Sequence, residues 1–158
     1  MTLLPKKAYI AKGSGISDVS ELNAFDKALL DAGIGNASLV KCTSILPSGI
    51  KIEDRMRDVT SGEILFSIYA KSCAYNDGEA DIEIFAGLGI AITDKMGLVA
   101  ELESERRESH VKSRLSSLLR EMAESRGLNI KEMFIIIEKC VIPPKKYGCA
   151  IATVIVDV

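Results

Sequence analysis

Two adjacent hydroxyl residues, Thr43-Ser44, interrupt an apolar run that starts at Leu39-Val40-Lys41-Cys42 and resumes as Ile45-Leu46-Pro47. A plain reading is a strand terminus in front of a proline. A second reading is chemical. The Ser44 hydroxyl can attack the carbonyl of Thr43 and turn the amide into an ester. β-Elimination followed by hydrolysis then leaves a pyruvoyl group at position 44. That step needs a distorted peptide and a donor for the developing oxyanion. The surroundings are not a Gly-x-Ser-x-Gly nucleophile elbow, and no neighbouring residue reads as a basic partner.

Two acids stand out beside this pair. Asp26 falls on the helix face marked by Leu22, Phe25, Leu29 and Gly33, where an acid is costly unless it is hydrogen-bonded or paired. It is either a structural tie to a backbone amide or an arginine, or a carboxylate for a cationic ligand such as a guanidinium. Glu101 lies in Gly97-Leu98-Val99-Ala100-Glu101-Leu102-Glu103. Alternation puts Leu98, Ala100 and Leu102 on one face and Val99, Glu101 and Glu103 on the other. The second face is either solvated or held in a drier interface, where Glu101 would have a raised pKa suited to proton transfer.

The elements that must position these groups are mostly strands. Residues 7–12 read as a short strand. Ser20 caps a helix over 21–32, which Gly33 stops. Residues 37–44 read as a strand, Pro47-Ser48-Gly49 as a turn, and 50–62 as irregular. Two strands, 63–73 and 81–93, carry a hairpin signal in Tyr75-Asn76-Asp77-Gly78. A strand over 97–103 follows. The charged run Glu101 to Glu108 is a solvated lead-in to a helix over 109–126, with Val111, Leu115, Leu118, Leu119 and Met122 on one face. Strands over 130–142 and 147–156 flank Pro143-Pro144, and Lys145-Lys146 reads as a polar turn. Gly33-Ile34-Gly35 is too short for a dinucleotide fingerprint. The pattern is α+β, mostly antiparallel strands with two main helices. Neither helix alone could cover a large sheet on both faces, so either sheets pack on each other or subunits do.

Composition narrows the function classes. With 158 residues, 47% hydrophobic and 27% charged, the chain reads as one globular domain. A net charge of −2 and the lack of a basic tract argue against nucleic acid. No apolar run is long enough to span a bilayer, and the first residues do not read as a secretory signal, so a cytoplasmic protein is expected. The four cysteines, Cys42, Cys73, Cys140 and Cys149, form no Cys-x-x-Cys pair, and His110 is the only histidine. These counts argue against a zinc site and a histidine-based triad, so no metal is expected. The cysteines are expected to stay reduced and packed as small apolar residues.

Taken together, the segments resemble the pyruvoyl-dependent arginine decarboxylase family. The resemblance is carried by Leu22-Asn23-Ala24-Phe25-Asp26, Ala28-Leu29-Leu30, Ala32-Gly33-Ile34-Gly35-Asn36, Thr43-Ser44-Ile45-Leu46-Pro47 and Gly97-Leu98-Val99-Ala100-Glu101, and more loosely by Gly148-Cys149-Ala150. It implies an αββα sandwich assembled as a homotrimer, with active sites between subunits. It implies self-cleavage before Ser44, giving a β chain of residues 1–43 and an α chain of residues 44–158. The covalent pyruvoyl cofactor made from Ser44 would bind an amino acid as a Schiff base and act as electron sink for loss of CO₂. The implied reaction is L-arginine to agmatine, a step toward polyamines. Glu101 matches the family proton donor and Asp26 the carboxylate that meets the guanidinium. Thr43 stands where the family often has serine. Ser38 stands where it has an asparagine that supports the site and processing. On a straight strand Ser38 and Ser44 lie on the order of 20 Å apart, so Ser38 would serve a cleavage site across an interface. Decarboxylation of another amino acid, and an unprocessed structural or regulatory relative, are the alternatives.

Overall fold

The computed structural model describes residues 1–158, the side chains of Ser104 and Glu105 excepted. Among the described residues the order is β1 (Lys7–Ser17), α1 (Glu21–Asp31), β2 (Ser38–Lys41), β3 (Ile45–Pro47), β4 (Lys51–Glu53), β5 (Ile64–Tyr75), β6 (Ile82–Thr93), β7 (Met96–Glu105), α2 (Glu108–Ser125), β8 (Ile130–Ile142) and β9 (Tyr147–Asp157). The strands form two sheets, β2-β5-β9-β1-β4 and β3-β7-β6-β8. Each sheet packs one face on the other sheet and the opposite face on a helix, which makes an αββα sandwich. No helix among the described residues is long and apolar enough to cross a membrane.

Alternation explains the layers. In β6, Ile84, Ala86, Leu88 and Ile90 enter the core between the sheets, while Phe85 and Ala91 face α2. In β9, Ala150, Ala152 and Val154 point between the sheets, and Cys149, Ile151 and Ile155 lie under α1. Both central strands are covered on two sides, so they read as nearly continuous apolar runs.

The helix faces differ in kind. In α2 the expected stripe is present, with Val111, Leu115 and Leu119 fully buried. In α1 the buried face is Ala24 and Ala28, continued by Ala32, and Leu22 is 76% exposed. The cause lies in β1. A Cβ on Gly13 would sit 2.4 Å from the Ala28 carbonyl oxygen, and one on Gly15 2.5 Å from that of Ala24. Backbone meets backbone here, and only small residues fit between. Ser20 caps α1 as expected, its Oγ accepting the Asn23 N–H at 3.0 Å.

Several sequence expectations change. The first strand extends to Ser17, and a short β4 lies in the segment read as irregular. The strand read over 37–44 stops at Lys41 and resumes at Ile45. β5 and β6 are not a hairpin, because they belong to different sheets. Asn76 anchors the loop that makes the crossing: its buried amide donates to the carbonyls of Ala80 and Ile142, each at 2.8 Å. The hairpin of the second sheet is β6–β7. Cys73 and Cys149 are not reduced. They lie opposite each other on β5 and β9 and form a disulfide, with Cα atoms 4.1 Å apart. Their separation of 76 residues hid the pairing. Cys42 and Cys140 are free, and burial pushes the Cys140 thiol up to about 11. In the charged run before α2, the Glu105 side chain lies outside the described residues, while Glu103 is exposed.

Candidate active site

The chain leaves the first sheet at Lys41 and enters the second at Ile45, so Thr43-Ser44 sits on the bridge between them. Two backbone bonds fix the ends of this bridge. Cys42 N–H donates to the Ser67 carbonyl of β5 at 2.8 Å, and Val99 N–H of β7 donates to the Ser44 carbonyl at 2.8 Å. Between those anchors Thr43 is exposed and Ser44 half-buried.

β3 pairs with β7 only over Met96 to Leu98. Where it ends, a cleft of about 480 Å³ opens, lined by Ser44, Val99, Ala100 and Glu101 together with Leu118, Glu121, Met122, Ser125 and Arg126. The structure therefore brings Ser44 and Glu101 to one cavity. Glu101 comes from the β7 face that alternation assigned to it, and its side chain is 21% exposed. Burial raises its pKa above the ordinary carboxylate value. The Lys41 ammonium opposes that rise, and the like charge of Glu103 adds to it.

Asp26 and Ser38 do not line this cleft. Asp26 is exposed on α1, off its alanine face, so the premise that it lies on the buried stripe is corrected. The acid of α1 that ties a backbone amide is Asp31, whose Oδ2 accepts the Ser14 N–H at 2.9 Å. Ser38 is exposed at the start of the edge strand β2, where its N–H donates to the Glu63 carbonyl at 2.8 Å. The bend after Lys41 removes the straight strand on which its distance from Ser44 was reckoned.

The sequence pattern assigns Leu118 and Met122 to the apolar face of α2 but gives no role at the cleft to Lys41, Glu121, Ser125 or Arg126. Lys41 is the one charge in the run before Thr43-Ser44, and it pairs with Glu101 at 3.4 Å. Glu121 and Ser125 lie four residues apart, one turn on from Leu118 and Met122, at the rim of the apolar face.

A residue that becomes a cofactor must sit with its side chain in a cavity and its backbone held, next to a group able to give a proton. Ser44 lines the cleft that Glu101 also lines, and its carbonyl accepts the Val99 N–H. A sequence model described as pyruvoyl-dependent arginine decarboxylase matches residues 7–156. The pyruvoyl-dependent arginine decarboxylase of Methanothermobacter thermautotrophicus is 33% identical over 142 residues, covering 86% of this chain and 87% of that protein. The protein of the same name from Thermococcus kodakarensis is 30% identical over 153 residues, covering 96% and 94%. Pyruvoyl-dependent arginine decarboxylase 2 of Archaeoglobus fulgidus is 32% identical over 142 residues, covering 86% and 87%. The chain belongs to the pyruvoyl-dependent arginine decarboxylase family, a family of carboxy-lyases.

Proposed function

We propose that the chain cuts itself between Thr43 and Ser44, that Ser44 becomes a pyruvoyl group, and that the resulting enzyme converts L-arginine to agmatine and CO₂. The observation that carries this reading is the shared cleft of Ser44 and Glu101 in a chain of this family. A pyruvoyl group supplies a ketone for the substrate amine and a neighbouring amide carbonyl that takes up the electron pair released with CO₂.

The residues of the chain do the rest. The Val99 N–H holds the Ser44 carbonyl and so fixes the backbone of the bridge. Glu101, kept partly dry, retains its proton more readily than a solvated carboxylate and delivers it to the substrate carbon once CO₂ has left. Asp26 is the carboxylate for the substrate guanidinium and comes to the cleft from a second copy of the chain. Exposed apolar residues support such an assembly. Leu22 lies one turn from Asp26, and Val40 and Ile45 flank the bridge. The homotrimer is the form this reading adopts, with Ser38 aiding cleavage across the interface.

Intact mass tests the first step. The expected result is two fragments, 1–43 and a pyruvoyl-blocked 44–158. A single 17.1 kDa species after prolonged warming overturns the reading. Ser44→Ala should abolish cleavage and activity together. Arginine assayed alongside lysine, ornithine and aspartate identifies the substrate.

A further inference from the structure

Lys41 is the last residue of β2, in the first sheet, and two residues before the bridge bond. Its ammonium reaches the second sheet, 3.4 Å from Glu101 Oε2 and 4.0 Å from Glu103 Oε1, and stands 4.5 Å from the centre of the Tyr69 ring. The other charged groups around Glu101 are Glu121 and Arg126 of α2, which line the same cleft. Lys71 of β5 is committed elsewhere: its backbone N–H donates to Glu103 Oε1 at 3.2 Å, and its ammonium lies over the Phe25 ring at 4.7 Å. Among the described residues, Lys41 is the cation that pairs directly with Glu101.

We infer that Lys41 is a positioning residue, which holds the Glu101 carboxyl at the Ser44 cleft and sets the pH at which that carboxyl gives up its proton. The inference rests on the proposed role of Glu101. Three contacts argue for a fixed ammonium: two carboxylates and an aromatic face converge on one flexible side chain. The ring matters because a lone ion pair at this exposure would be worth little. A cation at this distance favours ionised Glu101, while burial and Glu103 favour the protonated form. Lys41 therefore limits how far up the pH scale Glu101 remains an acid. Cutting the chain after Thr43 leaves Lys41 on one fragment and Glu101 on the other, and the pair then joins the two.

The test has two arms. The first uses the uncut Ser44→Ala chain with ¹³C-labelled glutamate carboxyls, the Glu101 signal being assigned by its loss in Glu101→Gln. Lys41→Met should move the Glu101 titration midpoint to higher pH, and Lys41→Arg should restore it. An unchanged midpoint in Lys41→Met overturns the inference, whatever the enzyme does. The second arm is the pH dependence of kcat for arginine in the self-cleaved protein. Its falling limb should move to higher pH in Lys41→Met and return in Lys41→Arg. Coincident limbs in an active Lys41→Met enzyme overturn the inference and leave the proposed function standing. Loss of arginine decarboxylation in the unsubstituted chain overturns the proposed function, while the carboxyl titration still decides whether Lys41 governs Glu101.

Discussion

Replacing Gly15 by alanine adds one methyl group where the backbone of β1 meets the backbone of α1. The new Cβ would stand 2.5 Å from the Ala24 carbonyl oxygen and 2.6 Å from the Ala28 nitrogen. Carbon atoms settle into contact near about 3.5 Å. The helix backbone must therefore retreat from β1 by most of an ångström, and a backbone cannot rotate aside as a side chain can. Overpacking of this kind costs about 1–3 kcal/mol. For a chain of this length each kcal/mol lowers Tm by about 2–4 °C, so the expected loss is roughly 2–12 °C. The measurement is thermal unfolding in the uncut Ser44→Ala background, where one chain gives one transition. Val19→Ala, at a position 76% exposed, serves as the control and should change stability by less than about 0.5 kcal/mol. A Gly15→Ala chain that melts with its parent would refute the claim that glycines in β1 set the depth of α1. In the enzyme that the proposed self-cleavage would give, the same substitution should displace the helix that carries Asp26. If Asp26 reads the guanidinium, KM for arginine rises while cleavage at Ser44 proceeds.

Glu101→Gln should leave self-cleavage intact and lower kcat by about 10²–10⁴-fold, measured as CO₂ release; equal turnover would remove Glu101 as proton donor. Arg57 donates to Glu63 at 2.5 Å and to Asp157 at 2.9 Å, and its hydrogen bond is the main reason Glu63 has a lowered pKa. A carboxylate with a depressed folded pKa contributes stability above its unfolded pKa and loses it as pH falls through the folded value. Arg57→Met should thus lower Tm most at neutral pH, with the gap to the parent closing under acid conditions; a gap independent of pH would contradict this. Cys73 and Cys149 both follow the proposed cut, so fragments 1–43 and 44–158 should separate on a denaturing gel without reductant. Alkylation of the denatured, unreduced protein should label Cys42 and Cys140 alone.

Much of the fold was legible because local pattern and tertiary role agree. The α2 stripe, the Ser20 cap and the two-faced β7 all follow from spacing, and the structure keeps each. What failed did so where a distant partner decides. Asp77-Gly78 is a local hairpin signal, but Asn76 ties its loop to Ile142, 66 residues away, and the chain crosses to the other sheet. Leu22 and Leu30 look like core by size, yet the closeness of β1 admits only alanine, and both leucines face outward. Of the candidate site, Ser44 and Glu101 were named together because the resemblance joined them, and the fold brings both to one cleft. Asp26 was singled out for a burial that it lacks. Lys41 went unnoticed because its partner is 60 residues away and in the other sheet.

The crossover from β1 through α1 to β2 has a further consequence. β1 is an interior strand, paired along its whole length with β9 and flanked by β4, and β2 lies at the far edge of the same sheet, beyond β5. The first 43 residues therefore grip the rest of the molecule like a hasp closed around two strands. A nick after Thr43 opens no seam, because every strand stays clasped by its neighbours. The short piece could leave only by tearing the first sheet apart. If the proposed cut is made, the two pieces should stay together and share a single melting transition.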